Sequence, residues 1–235
     1  MSELLVPLSV ASFPVFFLLV YFWYKDRGEA EPLQLMRRIF ILGILVILPV
    51  AGVEFLIQSA FLSFFKEIPW WFWFISPFLF VALPEEFGKF WMVKKVAYYH
   101  PKFNELMDGI SYCIIASMGF AVFENVMYTL QYGTATGMLR AFTAVPAHAL
   151  FSGLMGFYMG HARFAETPQE EKRLLRKALF MGVLFHGLYD FLLMSAIPYL
   201  MLLIFPLLIY MANQLHQGIR LANAKRQLAE ELEYF

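Results

Sequence analysis

Trp70–Val93 reads WWFWFISPFLFVALPEEFGKFWMV. A helix that crosses a bilayer needs about 20 mostly apolar residues, and this stretch has them. Its opening tryptophans are of the kind that sit at a membrane interface. Yet its second half carries Glu85, Glu86 and Lys89. A charged side chain at the centre of a spanning helix costs about 2.5–3.5 kcal/mol on the insertion scale, so ionisable groups at that depth point to function. The stretch therefore reads as a membrane helix with chemistry built into it.

Outward from this segment, six further apolar windows are long enough or nearly so: roughly 4–24, 39–62, 107–131, 140–162, 174–195 and 198–215. The hydrophobic share is 60%, against about 45–50% in soluble domains. Only 15% of residues are charged and the mean hydropathy is +0.62. The expected fold is an all-α polytopic membrane protein of about seven transmembrane helices. Residues 1–215 form its membrane domain, and 216–235 form a cytoplasmic polar helical tail with Leu221, Leu228 and Leu232 as a thin apolar stripe. The first window lacks a basic leader and a small-residue cleavage site, so it reads as a retained span. Zero net charge offers no electrostatic case for binding nucleic acid. A lone Cys113 leaves no intrachain disulfide to form. No internal repeat is evident, which counts against transporter folds built from inverted halves.

The polar residues inside these windows cluster in consecutive spans. Glu85, Glu86 and Lys89 lie in the third, Glu124 and Asn125 in the fourth, His148 in the fifth, and His186 with Asp190 in the sixth. Measured along ideal helices, Glu85 lies about 22 Å from Trp70, His148 about 12 Å from Arg140 and His186 about 18 Å from Leu174, so all approach the middle of the bilayer. His186 and Asp190 share a helix face, where the carboxylate can orient the imidazole or join it in binding a metal. Glu85 and Lys89 share one too, while Glu86 points about 100° away, leaving one glutamate balanced and the other free. Pro84 removes a helical hydrogen bond just ahead of the glutamate pair and Pro146 just ahead of His148, loosening the backbone where a substrate strand would need room. Other polar residues have simpler readings. Glu54 and Gln58 can reach the outer interface, His100, His161 and His216 lie at span ends or in loops, and Asp108 suits a helix N-terminus.

In order along the chain, Glu85-Glu86-Phe87-Gly88-Lys89, Phe120-Ala121-Val122-Phe123-Glu124-Asn125, Pro146-Ala147-His148 with Gly156-Phe157-Tyr158, and His186-Gly187-Leu188-Tyr189-Asp190 resemble the motifs of the PrsW intramembrane proteases. Lys25-Asp26, Glu31-Pro32 and Asp108-Gly109 extend the likeness over nearly the whole chain. The resemblance implies a cell-membrane protease making the first cut of regulated intramembrane proteolysis. Its substrate would be a single-span membrane protein, an anti-sigma factor, cleaved on its extracytoplasmic side. It also implies kinship with the CAAX prenyl endopeptidases, whose second motif usually ends in histidine where this chain has Glu124. Relatives often have asparagine four residues after the last histidine, where this chain has Asp190.

Peptide hydrolysis needs an activated water, an oxyanion stabiliser and an acid for the leaving amine. The candidate catalytic residues are Glu85, Glu86, Glu124, His148 and His186, with Lys89, Asn125 and Asp190 in support and Glu85 or Glu86 as the base. Two models fit. In a metalloprotease model, His148, His186 and Glu124 or Asp190 hold a zinc ion with a position open to water. In a metal-free model, a glutamate works with one histidine while the other serves the oxyanion. Four carboxylates against one ammonium favour a cation slightly, since uncompensated charge is costly at mid-membrane. A divalent-metal transporter is the rival from another class, because the same side chains build a midplane cation site.

Lysine and arginine give the orientation. The loops after the first, third and fifth spans hold Lys25, Arg27, Arg37, Arg38, Lys94, Lys95, Lys102, Arg163, Lys172, Arg173, Arg176 and Lys177, whereas those after the second and fourth hold only Lys66 and Arg140. The positive-inside rule then puts the N-terminus outside and the C-terminus in the cytoplasm. Cysteines introduced near Lys66 and Gly133 are expected to react with an impermeant reagent from outside, and ones near Lys102 and Gln169 to be protected. The reverse labelling pattern overturns this orientation.

Overall fold

The computed structural model describes residues 2–25, 31–65, 67–195 and 197–233, in which every regular element is a helix and no strand occurs. Asp26, Arg27 and Lys66, which entered the topology and the resemblance, lie outside the described residues. The chain begins with α1 (Ser2–Lys25), α2 (Leu33–Leu45) and α3 (Ile47–Phe64). The junction of the last two follows from Pro49, which has no N–H to offer the Leu45 carbonyl. Next come α4 (Phe72–Ser76), a π-helical segment (Pro77–Ala82) and α5 (Leu83–Val96). Pro77 and Pro84 bracket the π segment, each withholding a donor from the turn before it. The rest is α6 (Leu106–Tyr132), α7 (Thr134–Phe142), α8 (Ala144–Arg163), α9 (Pro168–Met194), α10 (Pro198–Met201) and α11 (Ile204–Glu233).

Helix ends obey local chemistry. The Glu105 side chain caps the first turn of α6 while Asp108 Oδ2 accepts the backbone N–H groups of Asn104 and Glu105 at 2.7 and 2.8 Å. Asp108 is thus the N-terminal carboxylate its position suggests. Gly133, at φ 89°, supplies the left-handed residue that ends α6 and lets α7 turn back. Thr167 caps α9, accepting the Glu170 N–H, with Pro168 at the first helical position.

Among the described residues, five helical stretches are long and apolar enough to cross a membrane: Leu5–Lys25, Leu33–Phe64, Leu106–Tyr132, Pro168–Met194 and Pro198–Leu232. The chain is a multi-pass membrane protein. The expected windows 70–93 and 140–162 take other forms. The first is divided among α4, the π segment and α5. The second breaks at Thr143, so Arg140 belongs to α7 and His148 to α8. Pro146 falls in the first turn of α8, where a missing N–H costs little, and makes no break of its own. The window 198–215 and the tail join in α11, which continues past Leu215 without interruption. The face that α11 packs inward carries Leu215, Ile219 and Ala222, whereas the expected stripe of Leu221, Leu228 and Leu232 is exposed.

The centre is α6. Of its most apolar stretch 83% is buried, against 17% for Leu33–Phe64, so it is the helix around which the others gather. It packs chiefly on α8 and α2, and α8 packs in turn on α9. One core cluster joins Val15, Ile114, Met118, Phe151, Leu154, Met211 and Leu215, and a second joins Ile39, Met92, Val93, Tyr112, Cys113 and Met155. Cys113 is free and fully buried, as a small core residue. Close approach of α6 and α8 is made possible by small residues. A Cβ on Gly109 would stand 2.4 Å from the Gly156 carbonyl oxygen, and one on Gly156 would stand 2.2 Å from that of Gly109. At the loop end, the buried Tyr98 donates its hydroxyl to Glu171 at 3.1 Å. Burial first, and then that carboxylate, raise the Tyr98 hydroxyl above its ordinary pKa.

Gly156→Ala is expected to force these backbones apart and lower the melting temperature of the detergent-solubilised protein, an overpacking cost of about 1–3 kcal/mol. Gly52→Ala, where a Cβ meets nothing within 4 Å, is expected to leave it unchanged or raised.

Candidate active site

The starting point is one turn of α5. Residues three and four apart on a helix face each other, so Lys89 meets both glutamates of the pair. Its Nζ donates to Glu85 Oε2 at 3.1 Å and to Glu86 Oε1 at 2.8 Å. The expectation that only Glu85 would be balanced therefore gives way: the flexible ammonium lies between the two. Lys89 is fully buried and rests 4.1 Å from the centroid of the Phe120 ring.

The third donor direction of Lys89 leads to α8, where His148 Nδ1 lies 3.2 Å away. An ammonium can only donate, so Nδ1 accepts and the ring proton of neutral His148 sits on Nε2. That nitrogen lies 2.8 Å from Glu124 Oε2 on α6. Ser117 donates to the backbone carbonyl of His148 at 2.8 Å, fixing the start of α8 against α6. The other Glu124 oxygen, Oε1, is held by Arg140 Nη2 of α7 at 2.9 Å. The Arg140 guanidinium lies 3.8 Å from the centroid of the Tyr128 ring.

On the opposite side stands α9. His186 Nδ1 is 3.0 Å from Glu86 Oε1 and 3.9 Å from Glu85 Oε2, and Nε2 is 3.3 Å from Asp190 Oδ2. The His186 ring stacks on Phe151 with centroids 4.7 Å apart, and the two histidine rings are 5.4 Å apart. α9 can approach because of its glycines. A Cβ at Gly182 would stand 3.2 Å from Glu86 Oε2, and one at Gly187 would overlap Phe78 of the π segment.

The result is an unbroken string of polar contacts, Arg140–Glu124–His148–Lys89–Glu86–His186–Asp190, with Glu85 beside Lys89. Glu85, Glu86, Lys89, His148 and His186 are buried, while the Glu124, Arg140 and Asp190 side chains keep 13–16% exposure on the open sides of the string. The structure thus brings together Glu85, Glu86, Lys89, Glu124, His148, His186 and Asp190. Asn125 lies elsewhere: its Nδ2 donates to the Gly137 carbonyl at 3.3 Å, pinning α7 to α6.

One residue joined the site that sequence reasoning set aside: Arg140 had passed for a loop cation because the apolar window was drawn straight through Thr143. Glu54, read as reaching the outer interface, has a buried Oε1.

Among the described residues, the group that could hold a metal, with ligand atoms within 4.8 Å of one another, is Glu85, Glu86 and His186. His186 is the member it shares with the set expected from sequence, while His148 lies between Lys89 and Glu124. Two carboxylates and an imidazole suit a divalent cation. Glu86 Oε2, buried without a hydrogen-bond partner, supplies a free lone pair there.

Comparison with known proteins identifies the family of the chain. The model of the PrsW family intramembrane metalloproteases matches residues 31–212. The chain is 38% identical to "Protease PrsW" of Oceanobacillus iheyensis, over 79% of this chain and 82% of the relative. It is 37% identical to that of Geobacillus kaustophilus, over 76% and 75%. For the protein of Bacillus subtilis strain 168 the identity is 33%, over 79% and 82%. No solved structure matches the chain. With the family model matched over most of its length and relatives above 30% identical, the chain belongs to the PrsW family of intramembrane metalloproteases.

Proposed function

We propose that this peptidase cleaves a single-span membrane protein, by resemblance an anti-sigma factor, with Glu85 as the base that activates water. The observation that carries the reading is the pair of buried carboxylates sharing one ammonium beside an imidazole, with one carboxylate oxygen left over. Of the two glutamates, Glu86 is fully enclosed and held by both Lys89 and His186, which suits a fixed anchor. Glu85 keeps 7% of its side chain accessible and makes the longer contact with Lys89, which suits a group that must meet water and exchange a proton. His186, backed by Asp190, is oriented to pass a proton to the leaving amine or to donate to the oxyanion. Lys89 bridges the two carboxylates, and His148 with Glu124 keeps Lys89 in place.

In a metal-bound form the same Glu85, Glu86 and His186 would instead hold zinc, which would supply a water of lowered pKa and a Lewis acid for the scissile carbonyl in place of the base and donor roles just given. Residues 1–215 are read as the catalytic unit and 216–235 as its cytoplasmic tail. The seven-span orientation with the N-terminus outside is retained as part of this proposal. Cleavage on the extracytoplasmic side follows from the resemblance.

Substitution at the pair tests the reading. Glu85→Gln is expected to lower cleavage of a single-span substrate in membranes by about two or more orders of magnitude while uncleaved substrate still co-purifies. Glu86→Gln is expected to lower protein level as well as rate, since it strips a buried ammonium of its nearer partner. Near wild-type cleavage by both variants removes the glutamate pair from the cleavage chemistry.

Metal analysis tests the zinc. The purified protein is expected to carry zinc, a chelator to stop cleavage, and His186→Ala to lose the metal. A metal-free protein that cleaves in the presence of chelator overturns the zinc and leaves the glutamate chemistry standing.

A further inference from the structure

Arg140 ends the polar string and touches none of the groups assigned to the reaction. Its guanidinium meets Glu124 Oε1 at 2.9 Å, the opposite Glu124 oxygen meets His148 Nε2 at 2.8 Å, and His148 Nδ1 meets Lys89 Nζ at 3.2 Å. Each link fixes the next. Arg140 takes one carboxylate oxygen, so the other is presented to His148. That oxygen accepts the Nε2 proton, which leaves Nδ1 as the acceptor Lys89 requires. The ammonium so steered lies between Glu85 and Glu86.

The surrounding architecture serves this placement. Asn125, next to Glu124 on α6, donates to the Gly137 carbonyl of α7. Thr129, one turn on, lies so near Gly137 that a Cβ there would stand 2.0 Å from its hydroxyl oxygen, so only glycine lets α7 seat. Arg140 follows three residues after Gly137 and so projects from a docked helix, its plane laid on Tyr128 at 3.8 Å. Holding a cation against that ring and a carboxylate in a largely buried place is costly unless the pairing is used.

We infer that Arg140 is a positioning residue of the active site: acting through Glu124 and His148, it sets the histidine tautomer that holds Lys89 between the two glutamates. The inference rests on the protease reading for its effect on rate, but its effect on His148 stands independently of it.

The experiment compares Arg140→Met, Arg140→Lys, Glu124→Gln and the Arg140→Met/Glu124→Gln double variant of the full chain, with His161→Ala as a control, since His161 hydrogen-bonds only within its own helix end. Two readouts are taken: cleavage of a single-span substrate normalised to protein level, and the 15N resonances of His148 in the solubilised protein. Arg140→Met is expected to lower kcat about ten- to a hundred-fold with substrate capture retained, and to broaden or shift the His148 signals away from the Nε2–H form. Arg140→Lys, which keeps a charge near Oε1, is expected to recover part of both. The double variant is expected to be no slower than Glu124→Gln alone. Multiplying losses in the double variant, or a His148 spectrum unchanged in Arg140→Met, overturn the inference. If neither wild type nor variants cleave, the protease reading fails and the spectra alone decide the role of Arg140.

Discussion

Everything in the active centre depends on one buried cation. The Lys89 ammonium has no access to solvent and spends its three donors on Glu85, Glu86 and His148. An unpaired charge there would be prohibitive, and so would two adjacent carboxylates without it. The glutamate pair, the lysine and the histidine are therefore a single electrostatic unit, and the helices that carry them must meet at this point or not at all. Hydrophobic burial cannot supply that convergence by itself, because lipid is as apolar as the helix surfaces.

Close packing supplies it instead. α6 is enclosed by α1, α2, α7 and α8, and small residues let the backbones touch: Gly109 against Gly156 and Gly160, and Gly182 beside Glu86. The proline-bracketed π segment ahead of Leu83 resets the helical phase just before the charged turn. Charge placement and helix packing thus constrain one another, and substitutions at the glycines of this interface would be felt in the chemistry.

The metal question turns on the same balance. Sequence counting set four carboxylates against one ammonium, a deficit that favoured a cation. The structure adds Arg140 to the positive side of that account, so the tally alone no longer decides. What favours a metal now is geometric: Glu85, Glu86 and His186 lie within one ion's reach, in a chain whose family is described as metalloproteases.

Much was legible in the residues themselves. Long apolar runs declare membrane helices because unsatisfied backbone cannot lie in hydrocarbon, and ionisable residues inside those runs declare a site because burying them is costly. Glu85, Glu86, Lys89, Glu124, His148, His186 and Asp190 could be picked out on that ground alone. Their partners could not. Pairing between helices is a property of distance across the bundle, which spacing along one helix does not encode. Lys89 was assigned to one glutamate but serves two, and His148, read as a metal ligand, meets Lys89 and Glu124 in this structure. The break at Thr143 was hidden because hydropathy averages over a window and cannot register a change of direction, so Arg140 fell outside the reading. The sequence by itself determined that this is a helical membrane protein with carboxylates and histidines inside it. Only the tertiary structure decided which of them touch, because in an interior without water each charge takes the partner that the packing of the helices leaves within reach.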